Sequence, residues 1–140
     1  MTEPQQGKGR PFVADVNTAV VRYHVRDVER ASAFYAQHLG FEVIFKAGSA
    51  FATVRRGALH LLLGGPQSSG SRQLPDGRRQ EPGGSNRIVL YVEDLEASIA
   101  RLRGADVKFR NEVEAGPGGK QIQIEDLDGN PIELHEAPRD

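Results

Sequence analysis

The sequence contains no cysteine and no tryptophan among its 140 residues. The absence of cysteine excludes disulfide bridges, Cys-ligated zinc and thiol catalysis. Long apolar runs are missing too, since no segment approaches the roughly 18 apolar residues that a membrane span needs. An excess of one charge is also lacking, because 18 basic and 19 acidic residues are interspersed and give a net charge of −1. Nucleic acid and membrane are therefore not expected as partners, and a small organic ligand fits better.

The length of 140 residues predicts a single domain, which we place at residues 16–137. Residues 1–15 carry Pro, Gln and Gly without periodicity and are expected to form a flexible leader. This leader has no apolar region of the kind that a secretory signal carries, so a cytoplasmic location is expected.

A Gly-, Pro- and Ser-rich segment, residues 64–85, divides the domain into two repeats, residues 16–63 and 86–137. Its composition predicts neither helix nor strand. We expect a solvated linker. The alternative is that this segment covers the mouth of a ligand pocket or contacts a partner subunit.

The two repeats share a pattern of strand, acidic N-cap and helix. Asp27 aligns with Asp94, and each follows a short β-branched or aromatic run and precedes apolar residues at helical spacing. An Asp at this position can accept hydrogen bonds from the free amides of the first helical turn. The pattern predicts that the first helix buries Val28, Ala31, Tyr35 and Leu39 and ends at Gly40, and that the second buries Leu95, Ile99 and Leu102 and ends at Gly104.

Strand-like runs follow each helix. They are FEVIFKA, AFATVRR and ALHLLLG in the first repeat, and VKFRNEV, KQIQIED and NPIELHE in the second. Each repeat is therefore predicted to be β-α-β-β-β, in an α+β fold. The pair Asp128-Gly129 predicts a hairpin turn between the last two runs. A calcium loop at the same place is disfavoured by Pro131 and by the lack of later ligands at the right spacing.

Three segments in this order resemble the vicinal oxygen chelate superfamily of glyoxalases, bleomycin resistance proteins and dioxygenases. They are VRDVERASAFYAQHLGF at 25–41, VEDLEASIARLRGADVKF at 92–109 and DLDGNPIEL at 126–134. The resemblance covers residues 17–137. It implies that the two β-α-β-β-β modules form a curved mixed-sheet cup, the glyoxalase/bleomycin resistance/dihydroxybiphenyl dioxygenase-like fold.

The resemblance also locates the positions at which metal-dependent members carry their ligands. These lie on the first and last strands of each module and are Val20, His60, Arg87 and Glu133 in this sequence. Valine has no lone pair to donate and arginine remains protonated, so neither can bind a cation. No metal cofactor is therefore expected. The alternative is a divalent ion held by His60, Glu133 and a displaced histidine, either His24 or His135.

A guanidinium opposite a buried carboxylate can neutralise it through paired hydrogen bonds. Arg87 is therefore predicted to pair with Glu133 in place of a metal, the alternative being that Arg87 points into solvent. Strand alternation predicts that other polar and aromatic side chains line the same cup. The predicted ligand-binding set is Arg22, His24, His60, Arg87, Tyr91, Gln123, Glu133 and His135, with Gln121 on the same face. The three histidines could instead be polar residues at the rim of a sheet.

The resemblance and these residues together predict a metal-independent small-molecule binding protein, drug- or metabolite-sequestering and homodimeric. One alternative is a glyoxalase-like lyase or isomerase, or a dioxygenase, using a divalent metal. A metal-free enzyme is another, with Glu133 as the catalytic base and Arg87 stabilising the oxyanion. A third is an interaction module in which the cup only packs.

Overall fold

The computed structural model describes residues 15–139, and it confirms an α+β fold with two mixed sheets. All but the last residue of the predicted leader lie outside the described residues. The chain divides into two compact units, the first ending at Pro82 and the second beginning at Gly83. Each unit contains one of the two repeats.

The first unit is a four-stranded sheet with one long helix. Its elements are β1 (Val20–His24), α1 (Val28–Leu39), β2 (Glu42–Ala47), β3 (Phe51–Arg56) and β4 (Leu59–Gly64). The strand order is β1-β4-β3-β2, with β1 parallel to β4 and the other pairs antiparallel. The predicted β-α-β-β-β module is confirmed here.

Helix α1 begins and ends as its sequence predicts. The Asp27 carboxylate accepts a hydrogen bond from the Arg30 backbone amide at 3.0 Å, and Gly40 ends the helix with a φ of 74°, a conformation that glycine adopts at little cost. The four residues predicted to face inward are buried, as are Ser32 and Phe34. This face packs on strands whose inward residues Val54, Leu61 and Leu63 are fully buried.

The second unit contains one more strand than predicted. Its elements are β5 (Ile88–Tyr91), α2 (Leu95–Gly104), β6 (Lys108–Phe109), β7 (Glu114–Gly116), β8 (Gly119–Glu125) and β9 (Pro131–Glu136). The strand order is β5-β9-β8-β6, β7 also pairs with β8, and β5 runs parallel to β9.

The prediction of one continuous strand in VKFRNEV is wrong, because the ladder breaks after Phe109. The side-chain oxygen of Asn111 accepts the hydrogen bond from the Gln123 backbone amide at 2.9 Å. A side chain thus replaces the backbone carbonyl that a continuous strand would present.

Two acidic side chains hold the start of α2. Asp94 accepts from the Ala97 amide at 3.0 Å, as predicted, and Glu136 on β9 accepts from the Leu95 amide at 2.8 Å. The Leu95 bond lowers the pKa of Glu136, since it stabilises the charged carboxylate. The second cap joins the helix to the sheet and was not predicted.

Helix α2 ends at Gly104 as predicted, but Gly104 is not the left-handed residue that follows from this role. The left-handed residue is Asp106, with a φ of 61°, and the amide of Val107 bonds back to the Leu102 carbonyl at 3.0 Å. Asp is among the few non-glycine residues that tolerate this conformation. Ile99, predicted to be buried, is only half-buried.

The turn between β8 and β9 is longer than the predicted two-residue hairpin. It spans residues 126–130, and only Gly129 has a positive φ, 84°. The buried Asp126 carboxylate accepts from the backbone amides of Asp128 and Asn130, at 2.8 and 3.0 Å. A buried acceptor of this kind, rather than the Asp-Gly pair alone, sets the turn.

Residues 64–85 form more structure than predicted. Gly64 ends β4, and Ser69–Ser71 make one turn of 3-10 helix. The Gln80 amide donates to the backbone carbonyls of Gly70 and Arg72, at 3.1 and 2.8 Å. Hydrogen bonds from a side chain to the backbone thus hold this segment in place of a regular strand ladder. The prediction that the segment contains no helix is wrong, because it contains one turn of 3-10 helix. None of the helices within residues 15–139 is long and apolar enough to cross a membrane.

Candidate functional site

A polar and aromatic surface covers one face of the sheet in the second unit. On the other face Ile122, Ile124, Ile132 and Leu134 are almost completely buried. Because side chains alternate along a strand, the odd-numbered neighbours share the first face. The strand register places Tyr91 and Gln121 on either side of His135, and Val89 and Gln123 on either side of Glu133.

Glu133 is the centre of this face and is 7% exposed. The Nε and Nη2 atoms of Arg87 both lie 3.0 Å from its Oε1 atom. The predicted ion pair is therefore present, and Arg87 does not simply point into solvent. The Gln121 amide nitrogen, oriented toward the carboxylate, lies 3.0 Å from both oxygens, so both oxygens of Glu133 accept hydrogen bonds.

His135 bridges the carboxylate and the backbone. Its Nδ1 atom is 2.9 Å from Glu133 Oε2, and its Nε2 atom is 2.8 Å from the Gly118 carbonyl oxygen. Both partners are acceptors, so both ring nitrogens must carry hydrogen to satisfy them, and the imidazolium is the form that does so. Accordingly, the bond to Gly118 and then that to Glu133 raise the pKa of His135.

The aromatic part of the surface is Tyr91, whose side chain is mainly in contact with solvent. The residue is 60% exposed, and its ring centroid lies 4.8 Å from that of His135, with an interplanar angle of 39°. With His135 protonated, the cluster of Arg87, His135 and Glu133 carries one net positive charge. This cluster lies beside an exposed aromatic ring.

The donor set of this face does not fit a divalent metal ion. The lone pairs of Glu133 are taken by Arg87, Gln121 and His135, and both nitrogens of His135 are bonded. The guanidinium of Arg87 would also repel a cation. No group of three or more His, Asp or Glu side chains suited to a metal occurs within residues 15–139.

The remaining predicted site residues lie in the first unit. His60 on β4 is half-buried and pairs in register with Val20 on β1, so the two family ligand positions of this module are neighbours. Arg22 as a whole is exposed to solvent, but its guanidinium group lies against the backbone of Gly70. An added Cβ at Gly70 would stand 2.3 Å from Arg22 Nη1.

His24 makes a contact that the sequence did not predict. Its Nδ1 atom is 3.1 Å from Ser71 Oγ, and burial, followed by the charge of Arg22, lowers the pKa of His24. Ser71 is 47 positions away in the sequence and belongs to the segment read as a linker. No local motif marks it, because the pairing arises from the folding of that segment onto the end of β1.

Comparison with known proteins supports the same fold. The profile described as the Glyoxalase/Bleomycin resistance protein/Dioxygenase superfamily matches residues 17–134. A search of curated proteins gave no significant match.

The solved structures that are similar to this chain include three with informative descriptions. A superfamily member from Sphaerobacter thermophilus DSM 20745 is 30% identical, covers 85% of this chain and 97% of its own, and has a TM-score of 0.65. TnmS3, an antibiotic binding protein from Streptomyces sp. CB03234, is 25% identical over 89% of this chain and 100% of its own, with a TM-score of 0.62. Lactoylglutathione lyase from Agrobacterium tumefaciens is 24% identical over 87% of this chain and 96% of its own, with a TM-score of 0.64. The chain belongs to the Glyoxalase/Bleomycin resistance protein/Dioxygenase superfamily.

Proposed function

We propose that this protein binds small organic molecules without a metal and serves to sequester a drug or metabolite. The observation that carries the proposal is that both carboxylate oxygens of Glu133 already accept hydrogen bonds, from Arg87, His135 and Gln121. A carboxylate neutralised in this way does not need a metal to be stable in a buried position. The likeness to an antibiotic binding protein at 25% identity supports a binding role.

The chemistry of the face indicates the class of ligand. Tyr91 and Val89 are 60% and 45% exposed on adjacent positions of this face, and they offer an apolar platform for a planar ring. The positive charge of Arg87 and His135 favours a ligand with a carboxylate, phenolate or carbonyl oxygen. Gln123, half-buried beside Glu133 in the register, adds an amide for directed hydrogen bonds.

A thermal-shift screen of aromatic antibiotics and aromatic carboxylates, with and without EDTA, tests this proposal. We expect at least one compound to raise the melting temperature equally in both conditions, since no metal is needed. A melting temperature that falls on adding EDTA, or a stoichiometric metal found by elemental analysis, would refute the metal-independent site.

Titration calorimetry of the best compound then tests the location of the site. Tyr91→Ala should weaken binding by about three- to tenfold through the loss of ring stacking. Leu127→Ala is the matched control, because Leu127 is 49% exposed but lies in the turn between β8 and β9. Equal effects of the two changes would place the ligand elsewhere.

The enzyme alternatives have weaker support in the geometry. A metal-dependent lyase, isomerase or dioxygenase lacks a fitting donor set. For Glu133 to act as a base, one of its three bonded partners would have to move before the carboxylate could take a substrate proton. Glu133→Gln would abolish such turnover while sparing binding, so any activity that survives this change rules out Glu133 as the base.

The resemblance also leads us to propose a homodimer in the cytoplasm. Sedimentation velocity at micromolar concentrations should give a mass twice the 15.3 kDa of the chain. A monomer under these conditions would contradict this assembly. A dimer that binds none of the tested ligands would favour the interaction module.

A further inference from the structure

A serine and a histidine meet beside a cavity that lies wholly within the first unit. Ser71 Oγ is 3.1 Å from His24 Nδ1 and 3.0 Å from Ser68 Oγ. Ser68 is 6% exposed, so it holds Ser71 from the buried side. A hydroxyl within hydrogen-bond reach of an imidazole is the arrangement that activates a serine for nucleophilic attack.

The cavity gives a substrate access to this pair. It has a volume of about 260 Å³ and is lined by both His24 and Ser71. This volume lies just below the usual range for drug-sized ligands and fits a smaller molecule. Two guanidinium groups, Arg26 and Arg79, line the same cavity against the single carboxylate of Glu81, so the cavity favours a negatively charged ligand.

We propose that Ser71 is a nucleophile, with His24 as its general base, and that the cavity accepts small aryl esters bearing a carboxylate. None of the residues that line this cavity belongs to the face around Glu133. The proposal therefore does not depend on the proposed binding function. Burial lowers the pKa of His24, which favours the neutral imidazole that can accept a proton.

The reaction has two steps. In the first, His24 Nδ1 takes the Ser71 hydroxyl proton, Oγ forms a bond to the ester carbonyl carbon, and the bond to the aryl oxygen breaks. The proton on His24 then passes to the leaving phenolate, or to solvent where the phenolate departs as the anion, so that His24 is neutral again. In the second, His24 takes a proton from water, the hydroxide attacks the acyl carbon, and Ser71 Oγ leaves and recovers a proton. The products are a phenol and a carboxylic acid.

Two acetyl esters that differ in charge provide the test, namely 4-nitrophenyl acetate and 4-acetoxy-3-nitrobenzoate. Both transfer an acetyl group, and each releases a coloured nitrophenolate. The wild-type protein should release a burst of nitrophenolate, with the acetyl group found on Ser71 by peptide mass spectrometry. The charged ester should react faster than the neutral one, and Arg79→Ala should remove that preference.

The matched variants are two serines of the same 3-10 turn. Ser71→Ala should abolish the burst, whereas Ser69→Ala should leave it unchanged, because Ser69 is exposed and its hydroxyl is not part of the pair. His24→Gln should slow acetylation by about 100-fold, the usual contribution of a general base.

Acetylation found only on lysines, or no burst above that of urea-unfolded protein, would overturn the proposal. The contact between Ser71 and His24 would then only attach the segment to β1. In that case Ser71→Ala would lower the melting temperature without changing the reaction with either ester. The adduct is mapped on the wild-type chain, so the result does not depend on whether a variant folds.

Discussion

Arg87 and Glu133 are joined through a single carboxylate oxygen, with Nε and Nη2 of the guanidinium both 3.0 Å from Oε1. The other oxygen faces His135 Nδ1 at 2.9 Å. Glu133 therefore lies between Arg87 and His135, and Arg87 and Glu133 occupy two of the positions at which the family resemblance placed metal ligands. The guanidinium supplies the positive charge that neutralises this carboxylate.

Replacing Arg87 should destabilise the protein by leaving Glu133 with fewer partners. Breaking a fully buried ion pair costs about 3–5 kcal/mol. The Arg87 side chain is 28% exposed, and His135 and Gln121 remain, so we expect a smaller loss of about 1–3 kcal/mol for Arg87→Ala. Urea denaturation measures this loss.

A double-mutant cycle separates the ion pair from general packing. In the Glu133→Gln background the cost of Arg87→Ala should shrink, because the buried charge is gone. Arg55→Ala is the control, since its 2.9 Å pair with Glu42 is largely exposed and should contribute less than about 1 kcal/mol. Equal costs in both backgrounds would mean that the two residues are not coupled.

His135 should make stability depend on pH around neutrality. Its pKa is raised above the ordinary value of 6.5 by Gly118 and Glu133. Its contribution is therefore fully present below about pH 6.5 and is lost as the pH rises through the raised value. The difference in unfolding free energy between the wild type and His135→Gln should be largest below pH 6.5 and should decline as the pH rises above it.

The variant His24→Gln should change the pH dependence of stability in the opposite direction. Because the pKa of His24 is lowered by burial and by Arg22, the wild type loses stability as the pH falls below 6.5, and the variant should lose less. If both histidine variants change the pH dependence in the same direction, at least one of the two pKa shifts has the wrong sign.

Gly119 at the start of β8 should not accept a side chain. Its φ is 115°, and an added Cβ would stand 2.0 Å from the backbone oxygen of Glu136. A backbone atom of the sheet cannot move away easily, so Gly119→Ala should cost about 3 kcal/mol or more. Gly118→Ala is the control, with nothing within 4 Å of the added Cβ, and thermal melting should show little change for it.

Local physics explains why the sequence predicted α1 so well. The cap at Asp27, the buried stripe and the left-handed Gly40 involve residues close together in the chain. The same holds for the alternation that places Tyr91, Gln121 and Gln123 on the face of Glu133. Where local signals competed, prediction failed, as at Asn111, whose side chain interrupts a strand, and at Asp106, which replaces Gly104 as the left-handed residue.

The sequence by itself determined the repeat, the α+β class and, through the family resemblance, the pairing of Arg87 with Glu133. Only the tertiary structure decided which atoms saturate that carboxylate, because strand register brings the Gln121 amide to it and places His135 between it and the Gly118 carbonyl. It alone brought Ser71 to His24 across 47 positions. Periodicity specifies which face a side chain occupies, whereas a contact between distant segments depends on how loops close, and no short pattern encodes that closure.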